Sequence, residues 1–179
     1  MSKLAIIIIV IIILVGFGYW GYQIFLNLEP SVKESQLGEK EEESMPVFED
    51  FSVSKIFRKE PAPVDYSSHP SAETFYTRIT ERAGQEPNFA GHYTIIEWGC
   101  GTSCQTGVIF DAETGKIYNI PGSELGKEYR IDSSLLIVNP DLEEIYRETP
   151  GLIFEGISTR YYKWENNTFE LIKEKEFKK

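Results

Sequence analysis

Histidine and cysteine are scarce in this chain, two of each among 179 residues. A structural zinc site takes four ligands, usually as two tight pairs. His69, His92, Cys100 and Cys104 would all be needed, and only the cysteines form such a pair. No metal and no cofactor is therefore expected. Positive charge is short as well: 18 Lys and Arg stand against 28 Asp and Glu, a net charge of −10. A phosphate-binding face needs clustered Lys and Arg, and none appears, which excludes nucleic acid as a partner. The chain also lacks a Gly-rich phosphate loop, a serine-nucleophile elbow, a cluster of carboxylates and any internal repeat.

What is present begins at the amino end. After MSK come twelve unbroken apolar residues, LAIIIIVIIILV, and no charge appears from Leu4 through Leu28. A bilayer core of about 30 Å takes about 20 helical residues, so this stretch is long enough to span. Tyr19, Trp20 and Tyr22 fall near one end, where amphipathic rings favour the headgroup boundary. Gly16-Phe17-Gly18 could serve as a signal-peptidase site, but YWGYQIFLNL runs on apolar and aromatic past it, which favours an uncleaved single-pass signal-anchor. Lys3 on the short side and Lys33 and Lys40 on the other give no strong orientation.

Residues 29–46, EPSVKESQLGEKEEESMP, carry six acids and two lysines with almost no large apolar side chain. Such a segment buries too little to offset its ordering entropy and reads as a disordered acidic spacer. The expected division is thus a membrane anchor over 1–28, the spacer over 29–46 and one globular domain over 47–179.

In that domain FSVSKIF reads as a first strand, and the prolines of KEPAPVDYSSHPS make a loop. One amphipathic helix follows. Ser71 is placed to cap it, Glu73 suits the positive end of its dipole, and Ala72, Phe75, Tyr76, Ile79 and Ala83 recur at helical spacing before Gly84. Beyond it the pattern alternates. HYTIIEW sets His92, Thr94, Ile96 and Trp98 on one face and Tyr93, Ile95 and Glu97 on the other, a strand buried to some extent on both sides. TGVIFDAETGKIYNIP is a hairpin pattern, SSLLIVNP another strand, and STRYYKWENNTFELI a closing pair that turns at Asn166 and Asn167. The fold class is α+β, a mainly antiparallel sheet domain with one amphipathic helix. NNT at Asn166 matches a glycosylation acceptor, but the same residues are good turn chemistry. Trp98, Trp164 and the nearby tyrosines are either core or a sugar or peptide platform.

The segment PAPVDYSSHPSAETFYTRITERAGQEPNFAGHYTIIEWGCGTSCQTGVIFDAETGKIY resembles a family of small uncharacterised exported bacterial proteins marked by an NFAGHY lead-in to a strand and a WGCGxxC turn. The likeness covers most of residues 47–120. It implies an extracytoplasmic domain, anchored by a single pass in the cytoplasmic membrane with its C-terminal part outside, and it brings no established chemistry.

Cys100 and Cys104 then have three readings. On an extended strand their Cα atoms would stand about 13 Å apart, so a disulfide requires a tight turn, which Gly99 and Gly101 permit. In an oxidising compartment the pair is most simply a staple. A metal reading recruits His92 as H-x7-C-x3-C. A nucleophile reading makes Cys100 or Cys104 the attacking thiol, His92 its base and Asn88 or Glu97 the orienter. Two functions follow: a noncatalytic binding module with His92, Glu97 and Trp98 among its contact residues, or an envelope thiol enzyme, hydrolase or exchanger, working through Cys104 or Cys100 with His92. The expected partners are the membrane through residues 4–28 and an envelope protein, peptide or glycan ligand, with the chain a monomer or weak oligomer.

Overall fold

The computed structural model describes residues 44–149 and 156–177. The expected anchor and all but the last three residues of the expected spacer lie outside them. Among the described residues no helix is long and apolar enough to cross a membrane. A compact unit runs from Met45 onward.

Among the described residues seven strands make two antiparallel sheets. The first contains β1 (Tyr93–Gly101), β2 (Cys104–Asp111) and β3 (Ile117–Asn119) in that order. The second contains β4 (Lys127–Tyr129), β5 (Leu135–Val138), β6 (Ser158–Glu165) and β7 (Thr168–Glu176) in that order. Helix α1 (Tyr76–Ala83) packs on β1, and a second, shorter helix, α2 (Leu142–Glu148), links β5 to β6. The α+β class holds, and the described residues contain two α-helices where the pattern of the globular domain gives one.

The first sheet is a middle layer, and the alternation of β1 is the cause. Ile96 and Trp98 point to one side and join Val108, Phe110 and Ile117 against Ala72, Ile79 and Ala83 of the helical segment. Tyr93 and Ile95 point to the other side and join Ile109 and Phe89 against Leu136, Val138 and Trp164 of the second sheet. Phe89, Ile79, Val108, Phe110, Leu135 and Val138 are withdrawn completely from solvent. Each such side chain contributes about 1.5–3 kcal/mol by leaving water.

Gly107 marks how closely the strands approach: a Cβ there would stand 2.1 Å from the Ile96 carbonyl oxygen. The DAETG turn is organised by Asp111, whose Oδ1 accepts from the Glu113 amide at 2.8 Å and whose Oδ2 accepts from the Thr114 hydroxyl at 2.6 Å. The β6–β7 turn uses Asn166 and Asn167 at φ of 52° and 60°, a left-handed pair that asparagine tolerates better than most residues.

Three expectations are corrected. FSVSKIF is not a strand. A 3-10 turn at Phe48–Phe51 is held by the Ser133 hydroxyl, which donates to the Phe48 and Phe51 carbonyls. The chain beyond it spends its amides on loops, Val53 on Asp132 and Phe57 on Gly91, leaving no partner strand. Helix α1 becomes regular at Tyr76 rather than at Ser71. The Ser71 amide donates to His69 Nδ1 at 3.1 Å, so a histidine and a run of turns open the segment, while Gly84 closes it as expected. Helix α2 was not expected because only Leu142 of it is buried, which leaves no apolar stripe; Glu143 and Glu144 in its first turn and Arg147 in its last suit the helix dipole.

Candidate functional site

Strand β1 carries Glu97, Trp98 and Cys100, while His92 and Asn88 precede it and Cys104 opens β2. At the carboxyl end, Cys100 and Cys104 are joined as a disulfide with Cα atoms 5.1 Å apart. The turn that allows this is the β1–β2 hairpin. Thr102 and Ser103 form its loop, Gly101 opposes Cys104, and the register slips between Gly99 and Gly101, so that Cys100 occupies the irregularity. Gly101 lies at φ 144° and Ser103 at φ 51°. The glycine is needed where it stands, since a side chain rarely adopts that backbone. Residues 99–105 are exposed, and the cystine therefore caps a hairpin tip.

His92 lies at the other end. Seven residues of strand separate it from Cys100, eight steps of about 3.3 Å or roughly 26 Å. Its Nε2 is 3.7 Å from Asp111 Oδ1, too far for a hydrogen bond, and its ring lies tilted against Tyr93 with centroids 4.0 Å apart. Neither the H-x7-C-x3-C set nor the Cys–His pair is brought together. Among the described residues no group of three His, Cys, Asp or Glu is placed to hold a metal.

Trp98 and Glu97 fall on opposite faces of β1. Trp98 is 6% exposed and stacks on Phe75 at 4.1 Å, beneath the helical layer. Glu97 points to the second sheet, where its Oε1 accepts from Lys127 Nζ at 2.9 Å and its Oε2 accepts from the Tyr129 hydroxyl at 3.4 Å. The ammonium also donates to Ser123 Oγ at 3.0 Å, and the Lys127 side chain is wholly buried. Burial pushes the Tyr129 phenol up from its ordinary value, and the neighbouring Glu97 carboxylate pushes it the same way. Asn88, the other proposed orienter, bonds the backbone of Ile95 through both ends of its carboxamide, Oδ1 accepting at 2.8 Å and Nδ2 donating at 3.3 Å. It seals the edge of β1.

The sequence pattern misses what flanks the cystine. Arg160 of β6 and Glu124 approach at 3.2 Å, and together with Ser103, Gln105 and Thr106 they border an open groove of about 460 Å³ against the disulfide. Arg160 Nη2 also donates to the Gly122 carbonyl at 3.3 Å, while its Nε is buried without a partner. The loop on the far wall is pinned by Asn139, fully buried at φ 52°, whose Oδ1 accepts from the amides of Glu124 and Leu125 at 3.0 and 2.9 Å. Asn139 precedes a proline in the sequence, which marks a chain turn but gives no hint of what its side chain holds. Compared with protein-family models, curated proteins and solved structures, the chain finds no match.

Proposed function

We propose that this is a membrane-anchored extracytoplasmic protein whose domain is a noncatalytic binding module, with the cystine-closed tip of the β1–β2 hairpin as its recognition surface. One observation carries the reading: the two sulfurs are bonded to each other at an exposed tip, with the nearest candidate base at the far end of the strand. Neither sulfur is then a thiolate, and His92 has no nucleophile to activate. The disulfide holds the tip in one shape, and a surface fixed before binding loses less freedom on binding. The Arg160–Glu124 pair and the hydroxyl and amide groups beside it suit a polar ligand with charges of both signs, such as a peptide of an envelope protein.

The uncharged run Leu4–Leu28 and the acidic segment 29–46 support an anchor and a tether, with residues 47–179 as the displayed unit. Resemblance to exported proteins with the NFAGHY and WGCGxxC motifs supports the outside location, where a cystine persists. The test is alkylation of the full chain in spheroplasts with a membrane-impermeant maleimide. No label before an impermeant reductant, two labels after it, and removal of the domain by added protease are expected. A single cysteine labelled without reduction would put the thiol enzyme in first place, and a domain shielded from protease would overturn the topology.

A further inference from the structure

We propose that a second site, distinct from the cystine tip, takes a neutral pyranose oligosaccharide. It is a groove of about 390 Å³ between the edge strand β3 and the β6–β7 turn, a volume within the range of small-ligand sites. No lining side chain carries a formal charge, in a chain where charged residues are 26% of the total. The groove beside the cystine, by contrast, presents Glu124 beside Arg160. A charged ligand would leave its ionic groups unpaired in this one, and a neutral ligand would not.

The polar groups that remain are oriented. His69 Nδ1 accepts from the Ser71 amide, so the ring proton sits on Nε2, which donates to Asn119 Oδ1 at 2.9 Å. The Tyr93 hydroxyl donates to Asn167 Oδ1 at 3.1 Å. Both carboxamide oxygens are thereby used by the protein, which leaves the NH2 groups of these two groove-lining residues as donors. Two such donors suit the hydroxyl and ring oxygens of a sugar.

The apolar walls are fixed too. Tyr118 and Phe169 line the groove, and both lean on the buried Trp164, with centroids 5.8 and 4.6 Å from it. Two braced aromatic side chains beside two carboxamide donors match a pyranose, whose C–H face packs on a ring while its hydroxyls take the hydrogen bonds. This site does not depend on the cystine reading.

Isotope-labelled full-length protein, in a micelle whose detergent has no sugar headgroup, would be titrated with cellotetraose, maltotetraose and chitotetraose. Expected are shifts of the Asn119 and Asn167 side-chain NH2 signals with at least one probe. Asn119→Asp and Asn167→Asp keep the acceptor for His69 and for Tyr93 but remove the donor. Each should weaken binding about tenfold with the thermal midpoint held. An oligogalacturonate should not bind. The proposal is overturned if no neutral probe shifts these signals at millimolar concentration, if both aspartate variants bind as the parent does, or if an uncharged Ser/Thr peptide binds in place of the sugars.

Discussion

Lys127 and Glu97 meet across the space between the two sheets, ammonium to carboxylate at 2.9 Å, with the lysine side chain entirely withdrawn from water. Lys127 donates to Glu97 and to Ser123, so the ion is paired and hydrogen-bonded. A buried pair of this kind is weak as a source of net stability but fixes which residues must face each other.

Removing one partner should therefore be worse than removing both. Lys127→Met is expected to destabilise by about 3 kcal/mol, the low end for a broken buried pair, because Glu97 keeps some contact with solvent. Combining it with Glu97→Leu should recover much of that loss. Equilibrium urea unfolding of the two variants reads the difference, and a single variant within about 0.5 kcal/mol of the parent would show that the pair is not buried.

The cystine closes a short loop, residues 100–104. On the chain-entropy account, replacing both cysteines by serine should lower stability by about 2 kcal/mol. The two single variants should behave alike, and the backbone spectrum away from residues 99–105 should be unchanged. Unequal single variants would mean that one sulfur has a role beyond the bond.

Gly107 and Gly99 should differ in their tolerance of a side chain. Alanine at 107 drives its methyl group against the Ile96 carbonyl and should destabilise by about 1–3 kcal/mol, the usual range for overpacking. Alanine at 99 meets nothing within 4 Å and should stay within about 0.5 kcal/mol of the parent. Thermal midpoints compared side by side would decide.

At alkaline pH four tyrosines set the direction. Burial raises the phenols of Tyr93, Tyr118, Tyr129 and Tyr161 above their ordinary value of 10.0. The unfolded chain then loses its phenolic protons first. The contribution of these groups is complete below about pH 10 and is lost as pH rises through the raised folded values. Phenolate absorbance should appear together with unfolding, and Tyr129→Phe should flatten the alkaline limb of the stability curve.

Periodicity made much of the sheet legible in the sequence. Strand β1 alternates over its whole buried length, and Asn166-Asn167 is turn chemistry that fits only one hairpin. The short elements were not legible: β4 has three residues, too few to show a period, and α2 buries one side chain. The segment 51–57 has strand-like residues but meets loops instead of a strand, and loops leave no trace in a local pattern. The cysteine pairing could be read because its partners are four residues apart, with glycines between and before them. The groove beside it could not, because Arg160 and Glu124 reach the tip from 36 residues apart. For the same reason the partners of Glu97 were invisible, although Glu97 itself was singled out. Trp98 and Trp164 carried two readings in the sequence, and their burial to 6% places both in the core.

Strand β1 is covered by a helical layer on one side and a second sheet on the other. A strand held this way accepts few residue types at almost any position, whatever task the domain performs. A fingerprint built on residues 88–98 would gather chains that share this layering, including chains with unrelated ligands. The residues that would separate one ligand from another, Arg160 and Glu124 at one rim and Asn119 and Asn167 at the other, lie outside that stretch. Kinship searches centred on the buried run Tyr93–Trp98 would thus report architecture, and sorting such chains by binding partner would call for comparison at the tip and the rims.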